Sequence, residues 1–256
     1  MKKNIINIKN IALFIGVILA FGSCADYLDQ VPEEKLSEAN LFKSKDDVVK
    51  VLTQVYSYYY SPIEFNDNCG LASDECDYNW SNYNPHYKDV GQYSQSSLIY
   101  NHWGNFYKQI RTAQYFLSRI DECHDEKLTE DERSWWKGEA YFLEAYYYFL
   151  LLEQYGPVPL VKKVYDGNEM IAAMNEGIPR SSFDECVAYI DSLLVKAIDH
   201  LDLFYTFSST ERAGRASQAS AWFLRSRLWL YAASPLYNGM TSPTGKSYAH
   251  LVPKDK

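Results

Sequence analysis

Between Trp135 and Leu152 the chain is apolar or aromatic at almost every position, with Glu139, Glu144 and, just beyond, Glu153 as the main polar interruptions. An apolar surface that runs round most of the circumference predicts a helix enclosed by other helices. Its limits are legible too. Thr129 with Glu132 three residues on forms a capping box, in which each side chain satisfies a backbone N–H at the helix start. Gly156-Pro157 ends the helix, because glycine accepts the left-handed conformation past a helix end and proline cannot continue the ladder.

The rest of the chain is arranged about this element. Ser44 and Asp47 mark an earlier helix start, and Val48, Val49, Leu52, Val55, Tyr56 and Tyr59 recur at helical spacing until Ser61-Pro62. From Ile63 to Ser97 periodicity gives way to turn-forming residues interleaved with aromatics, and loops this long within a compact domain are often functional. A packing stripe follows, Trp103, Phe106, Ile110, Ala113, Leu117 and Ile120, in steps of 3, 4, 3, 4 and 3. Beyond the central helix, Val158 to Val164 reads as extended, and Asp166-Gly167 through Gly177-Ile178-Pro179-Arg180 as loop. Ser182 and Glu185 form another capping box, with Val187, Ile190, Leu194, Ala197 and Leu201 facing a core; Arg215 and Ser217 lead into a last helix, Ala219 to Ala233. Ala140-x-Phe142-Leu143 recurs as Ala221-x-Phe223-Leu224, 81 residues later. Paired amphipathic helices that share such positions predict an all-α fold of tetratricopeptide-like hairpins with long inserted loops.

The N-terminus changes the picture from a soluble bundle to an exported one. Lys2, Lys3 and Lys9 precede an apolar run from Ile11 to Phe21 that ends in Gly22-Ser23-Cys24, the layout of a secretory signal. Residues 1–23 are expected to be removed, 24–43 to form a lipidated tether, and 44–256 the helical domain. Small residues followed directly by Cys24 resemble a bacterial lipobox, in which the thiol is acylated, and two or more chains make anchoring stable. Of the other cysteines, Cys69 and Cys76 could bridge in an oxidising compartment, whereas Cys123 and Cys186 fall on helical patterns as small core residues. The full chain carries −8; without the three leader lysines 22 basic residues face 33 acidic ones, a balance of −11. That argues against nucleic acid, whose binding is driven by cationic neutralisation of phosphates.

The chain has 23 tyrosines and 16% aromatic residues, suited to helix packing or to a sugar-facing surface. The 66–93 loop pairs flat aromatics, Tyr78, Trp80, Tyr83 and Tyr87, with hydrogen-bonding Asp74, Asp77, Asn79 and Asn82. This is the combination a pyranose needs: apolar faces for its C–H side and polar pairs for its hydroxyls. The same aromatics would also serve to pin a long loop onto the helices. Asp74, Asp77 and nearby carbonyls could hold Ca²⁺, though without the ordered spacing of an EF-hand. Trp103, Trp135, Trp136, Trp222 and Trp229 are expected in the core, and Arg180 and Arg215 in structural pairs. No catalytic motif is present, and His86, His102, His124, His200 and His250 lack metal-ligand spacing.

Five segments, in order, resemble the SusD/RagB family of outer-membrane nutrient-binding lipoproteins. They are Cys24 to Asp29, the Trp103 to Ile120 helix, Glu139 to Val161, Pro179 to Cys186 with its helix, and Gly214 to Gly239. Gln114 stands where such proteins often carry Asn, and family members continue for roughly as long again, so an N-terminal portion of the family fold, or a truncated gene product, is expected. The resemblance implies a tetratricopeptide-like lid on a SusC-like TonB-dependent transporter, anchored in the outer membrane and facing outward. Such a protein binds oligosaccharide at the cell surface and delivers it to the pore without cleaving it, and needs no cofactor. Two other readings fit the residues: an envelope interaction scaffold that binds no glycan, and an α-helical glycosidase.

Overall fold

The computed structural model describes residues 41–58, 87–88, 90–96, 98, 101–203 and 212–237. Among them are six helices and no strand: α1 (Lys45–Tyr56), α2 (Trp103–Arg119), α3 (Glu130–Tyr155), α4 (Gly167–Glu176), α5 (Phe183–His200) and α6 (Gln218–Ala232). A 3-10 turn, Ile120–Glu122, extends α2. The all-α reading is therefore correct. Packing is sequential: α1 lies on α2, α2 on α3, α3 on α5 and α5 on α6, with the α3–α5 and α2–α3 contacts the most extensive. Such stacking of neighbouring hairpins is how helical repeats build a continuous core.

The central helix α3 is enclosed as its sequence requires. Phe142, Leu143, Tyr147, Tyr148, Phe149, Leu150, Leu151 and Leu152 are all buried, and each side chain of this size removed from water contributes about 1.5–3 kcal/mol. Both halves of the Thr129–Glu132 capping box form, and Gly156 ends the helix at φ 69°. Ser182 caps α5 in the same way. Gly138 lets α3 and the end of α5 approach closely, since a Cβ there would stand 2.7 Å from Leu201 Cγ.

Tyrosine hydroxyls hold this core together as well as fill it. Tyr147 donates to the Val55 carbonyl at 2.7 Å, across 92 residues of sequence. Tyr148 donates to the Val161 carbonyl and accepts from the Val161 N–H, while Tyr107 donates to the Pro159 carbonyl. The extended exit from α3 has no sheet partner among the described residues, and these hydroxyls, with Ser181 N–H donating to the Val158 carbonyl, satisfy its backbone.

Three sequence expectations need correction. The 166–177 stretch, read as loop, contains α4, with Asp166 and Glu169 as its capping box. The first helix ends at Tyr56, before Ser61-Pro62. Its C-terminal turn is closed by Ser57, whose hydroxyl donates to the Gln54 carbonyl while Gln54 Nε2 donates back to it, a local competition that ends helices. Finally, only Trp136 of the helical tryptophans is fully buried; Trp222 and Trp229 are 47% and 51% exposed. Phe223 and Leu230 of α6 are exposed as well, at 81% and 76%, while Ala221, Leu224 and Leu228 are the residues of that helix that are buried.

Candidate functional site

The residues expected to hold sugar, Trp80, Tyr78, Tyr83, Asp74, Asp77 and Asn79, lie outside the described residues, as do Cys24, Cys69 and Cys76. The described structure does show where the segment carrying the predicted sugar site begins and returns. Tyr58, just past the end of α1, meets His102, the residue before α2, with its hydroxyl 2.7 Å from Nδ1. The His102 N–H donates to the Tyr155 hydroxyl at 3.0 Å, so the last residue of α3 fastens the same point. Both ends of the 59–101 segment are thus joined at one place on the scaffold.

Aromatic packing makes that junction stiff. The His102 ring stacks on Phe106 at 5.5 Å, and Tyr58 meets Phe106 edge-on at 5.9 Å. Trp103 meets Tyr155 edge-on at 5.1 Å, and the Arg180 guanidinium lies 5.3 Å from its ring. Arg180 also donates to the carbonyls of Tyr155 and Pro157, covering acceptors that the end of α3 leaves open. Its structural role is therefore as expected. Neither Tyr58 nor His102 stands out in the sequence; their only signal is a place at the two ends of a long aperiodic segment.

Two carboxylates on α3 are buried. Glu139, 1% exposed, accepts from the Tyr56 hydroxyl and from Arg215 Nε, each at 2.8 Å. Tyr56 in turn accepts from the Ala216 N–H, so one cluster joins α1, α3 and the entry to α6. Burial pushes the Glu139 pKa up, and Arg215 and Tyr56 hold it down in part. Glu144, 2% exposed, accepts on Oε1 from Gln114 Nε2 and from the Tyr189 hydroxyl. Its pKa is likewise raised by burial and opposed by those two hydrogen bonds and by Lys196. Five residues apart on one helix, the two carboxylates point about 140° apart. They have different neighbours and do not face each other, unlike the facing pair that glycoside hydrolysis requires.

Other predicted residues fall as follows. Cys123 and Cys186 are buried and unbridged, as core residues should be. Gln114 also donates to the Val161 carbonyl at 2.6 Å, which fixes its amide orientation because a carbonyl can only accept. Among the described residues no group of three or more His, Cys, Asp or Glu side chains converges as metal ligands, and no helix is long and apolar enough to cross a membrane.

Residues 26–230 match the family model for SusD-like proteins, described as starch-binding and associating with the outer membrane. SusD-like protein P38 of Formosa agariphila is 25% identical over 221 residues, 78% of this chain and 40% of the relative. A SusD-like protein of Bacteroides ovatus is 22% identical over 229 residues, again 40% of the relative's length. Among solved structures, a SusD-like protein of Bacteroides fragilis is 27% identical with a TM-score of 0.57 over 76% of this chain and 36% of that one. A laminarin-binding SusD-like protein shares the fold at a TM-score of 0.62 and 20% identity, over 74% of this chain and 41% of that one. With residues 26–230 of its 256 matched by the family model, the chain belongs to the SusD-like family.

Proposed function

We propose that the chain belongs to a surface protein that captures oligosaccharide at the outer membrane and passes it, uncleaved, to a SusC-like TonB-dependent transporter. The observation that carries this reading is the family match over residues 26–230, whose description couples starch binding to the outer membrane. Anchoring falls to an acylated Cys24 and sugar contact to the 59–101 segment, with Trp80, Tyr78 and Tyr83 as stacking faces and Asp74, Asp77 and Asn79 as hydroxyl partners. The fastened base at Tyr58 and His102 supports that assignment, since a binding loop mounted on a stiff foundation loses less entropy when it closes on a ligand.

The test is retardation of the full chain in native gels cast with neutral glucans. Wild type is expected to be retarded without releasing reducing ends, and Trp80→Ala to run freely. Retardation of Trp80→Ala equal to that of wild type refutes the loop as the sugar site.

A further inference from the structure

Away from the loop base, a hollow of about 570 Å³ opens over the middle of α3, within the size range of small-molecule sites. Its walls include Tyr141 and Glu144 of α3, Tyr189 and Lys196 of α5, Gln114 of α2, and Lys162 from the extended exit. A second hollow of about 330 Å³ adjoins it through Gln114 and Lys163, and Lys108 and Arg111 line that one. The chain as a whole carries −8, so a strip of lysine and arginine here is a local reversal of sign.

Three observations give the hollow a chemistry. Lys162 lies 5.1 Å over the Tyr189 ring and Lys196 5.4 Å over the Tyr141 ring. Among the described residues neither lysine has an ion-pair partner, although Glu185 and Glu144 feel the charges of Lys162 and Lys196 respectively. Second, Gln114 is 8% exposed and its Oε1, buried at the junction of the two hollows, has no hydrogen-bond donor. Third, both hydrogen bonds to Glu144 from Gln114 and Tyr189 end on Oε1. Lysines held over tyrosine rings, with a carboxyl group and an amide beside them, suit a ring that carries both hydroxyls and a negative charge. An acidic peptide would also meet the lysines, but it brings one backbone N–H per residue to the carboxyl and amide acceptors where a sugar ring brings several hydroxyls.

We propose that this hollow binds an acidic sugar unit of a glycan, with its anionic substituent between Lys162 and Lys196 and its hydroxyls toward Glu144 and Gln114. This rests on the glycan-binding reading above but uses none of the loop residues. The anionic group is a carboxylate in uronic acids and a sulfate ester in sulfated sugars, and the two are separated by the choice of polymer.

The full chain is run in native gels cast with polygalacturonate, with dextran sulfate, with a neutral glucan, or with poly-glutamate. One of the two acidic polysaccharides should retard wild type, and which one does so identifies the anion. Lys162→Ala/Lys196→Ala should weaken that retardation by about tenfold while leaving neutral-glucan retardation and the far-UV circular dichroism unchanged; Trp80→Ala should do the reverse. Failure of the loop reading therefore appears only in the neutral-glucan gel. The proposal is overturned by wild type passing both acidic gels freely, by the double variant binding as tightly as wild type, or by poly-glutamate retarding the chain as strongly as the polysaccharide.

Discussion

Replacing Arg215 with Ala tests the cluster that ties α1, α3 and α6. The substitution removes the Nε–H that lies 2.8 Å from a carboxylate 1% exposed, leaving Glu139 with the Tyr56 hydroxyl as its remaining hydrogen-bond donor. Breaking a buried pair from one side costs about 3–5 kcal/mol. Arg215 is itself 22% exposed, which places the expected loss near the lower end, about 3 kcal/mol. For a domain of this size each kcal/mol lowers Tm by about 2–4 °C, so a drop of about 6–12 °C is expected in thermal circular dichroism. The pH dependence follows from the raised pKa of Glu139. A carboxyl group whose folded pKa lies above its unfolded value of about 4.3 favours folding fully below that value, and the advantage is lost as pH rises through the folded pKa. Without Arg215 the folded pKa rises further, so the defect should be larger at pH 8 than at pH 5, since lowering the pH favours the uncharged form that tolerates burial. On a Glu139→Gln background the same Arg215→Ala change should cost about 1 kcal/mol or less. A Tm drop under about 2 °C, or an equal defect at both pH values, refutes the reasoning.

Three further outcomes are expected. Gly138→Ala forces a Cβ to within 2.7 Å of Leu201 Cγ and 2.9 Å of His200 Cβ, and should cost about 1–3 kcal/mol in urea denaturation; an unchanged midpoint would show that α3 and α5 part easily. Tyr147→Phe strips the hydroxyl from the Val55 carbonyl and should lose about 1–2 kcal/mol, with no effect on glycan retardation. Burial, with Lys137 adding to it, holds the His200 pKa below its usual value. Its contribution to stability is thus present above about pH 6.5 and lost as pH falls through the folded value, and His200→Gln should flatten that part of the acid-side stability curve.

What the sequence made legible was local. Thr129, Glu132 and Gly156 bound α3 because caps act within a turn of the helix end, and the Val187, Ile190, Leu194 stripe of α5 faces inward because helical spacing alone puts those residues on one side. The same kind of signal was available for α4 in Asp166 and Glu169, but Gly167, Gly177 and Pro179 around it read more strongly as loop. Glu139 and Arg215 stand 76 residues apart, so nothing within either neighbourhood announces their meeting. Trp222 and Trp229 fail for a different reason: an aromatic stripe shows that a helix has an apolar side, but which neighbour covers that side depends on the stacking order of the array. The candidate sugar residues were found from composition alone, and their geometry lies outside the described residues.

The fastening of Tyr58 to His102 has an evolutionary consequence. When two ends of an insertion are held by the body of a protein, the length between them enters stability only logarithmically, at about 0.6 kcal/mol for each doubling. The 59–101 insert can then be swapped for another of different length and composition while the helices beneath keep their arrangement. If the sugar contacts lie on this segment as proposed, specificity becomes a cassette, and a lineage that meets a new polymer can retune this one segment and keep the rest of its architecture.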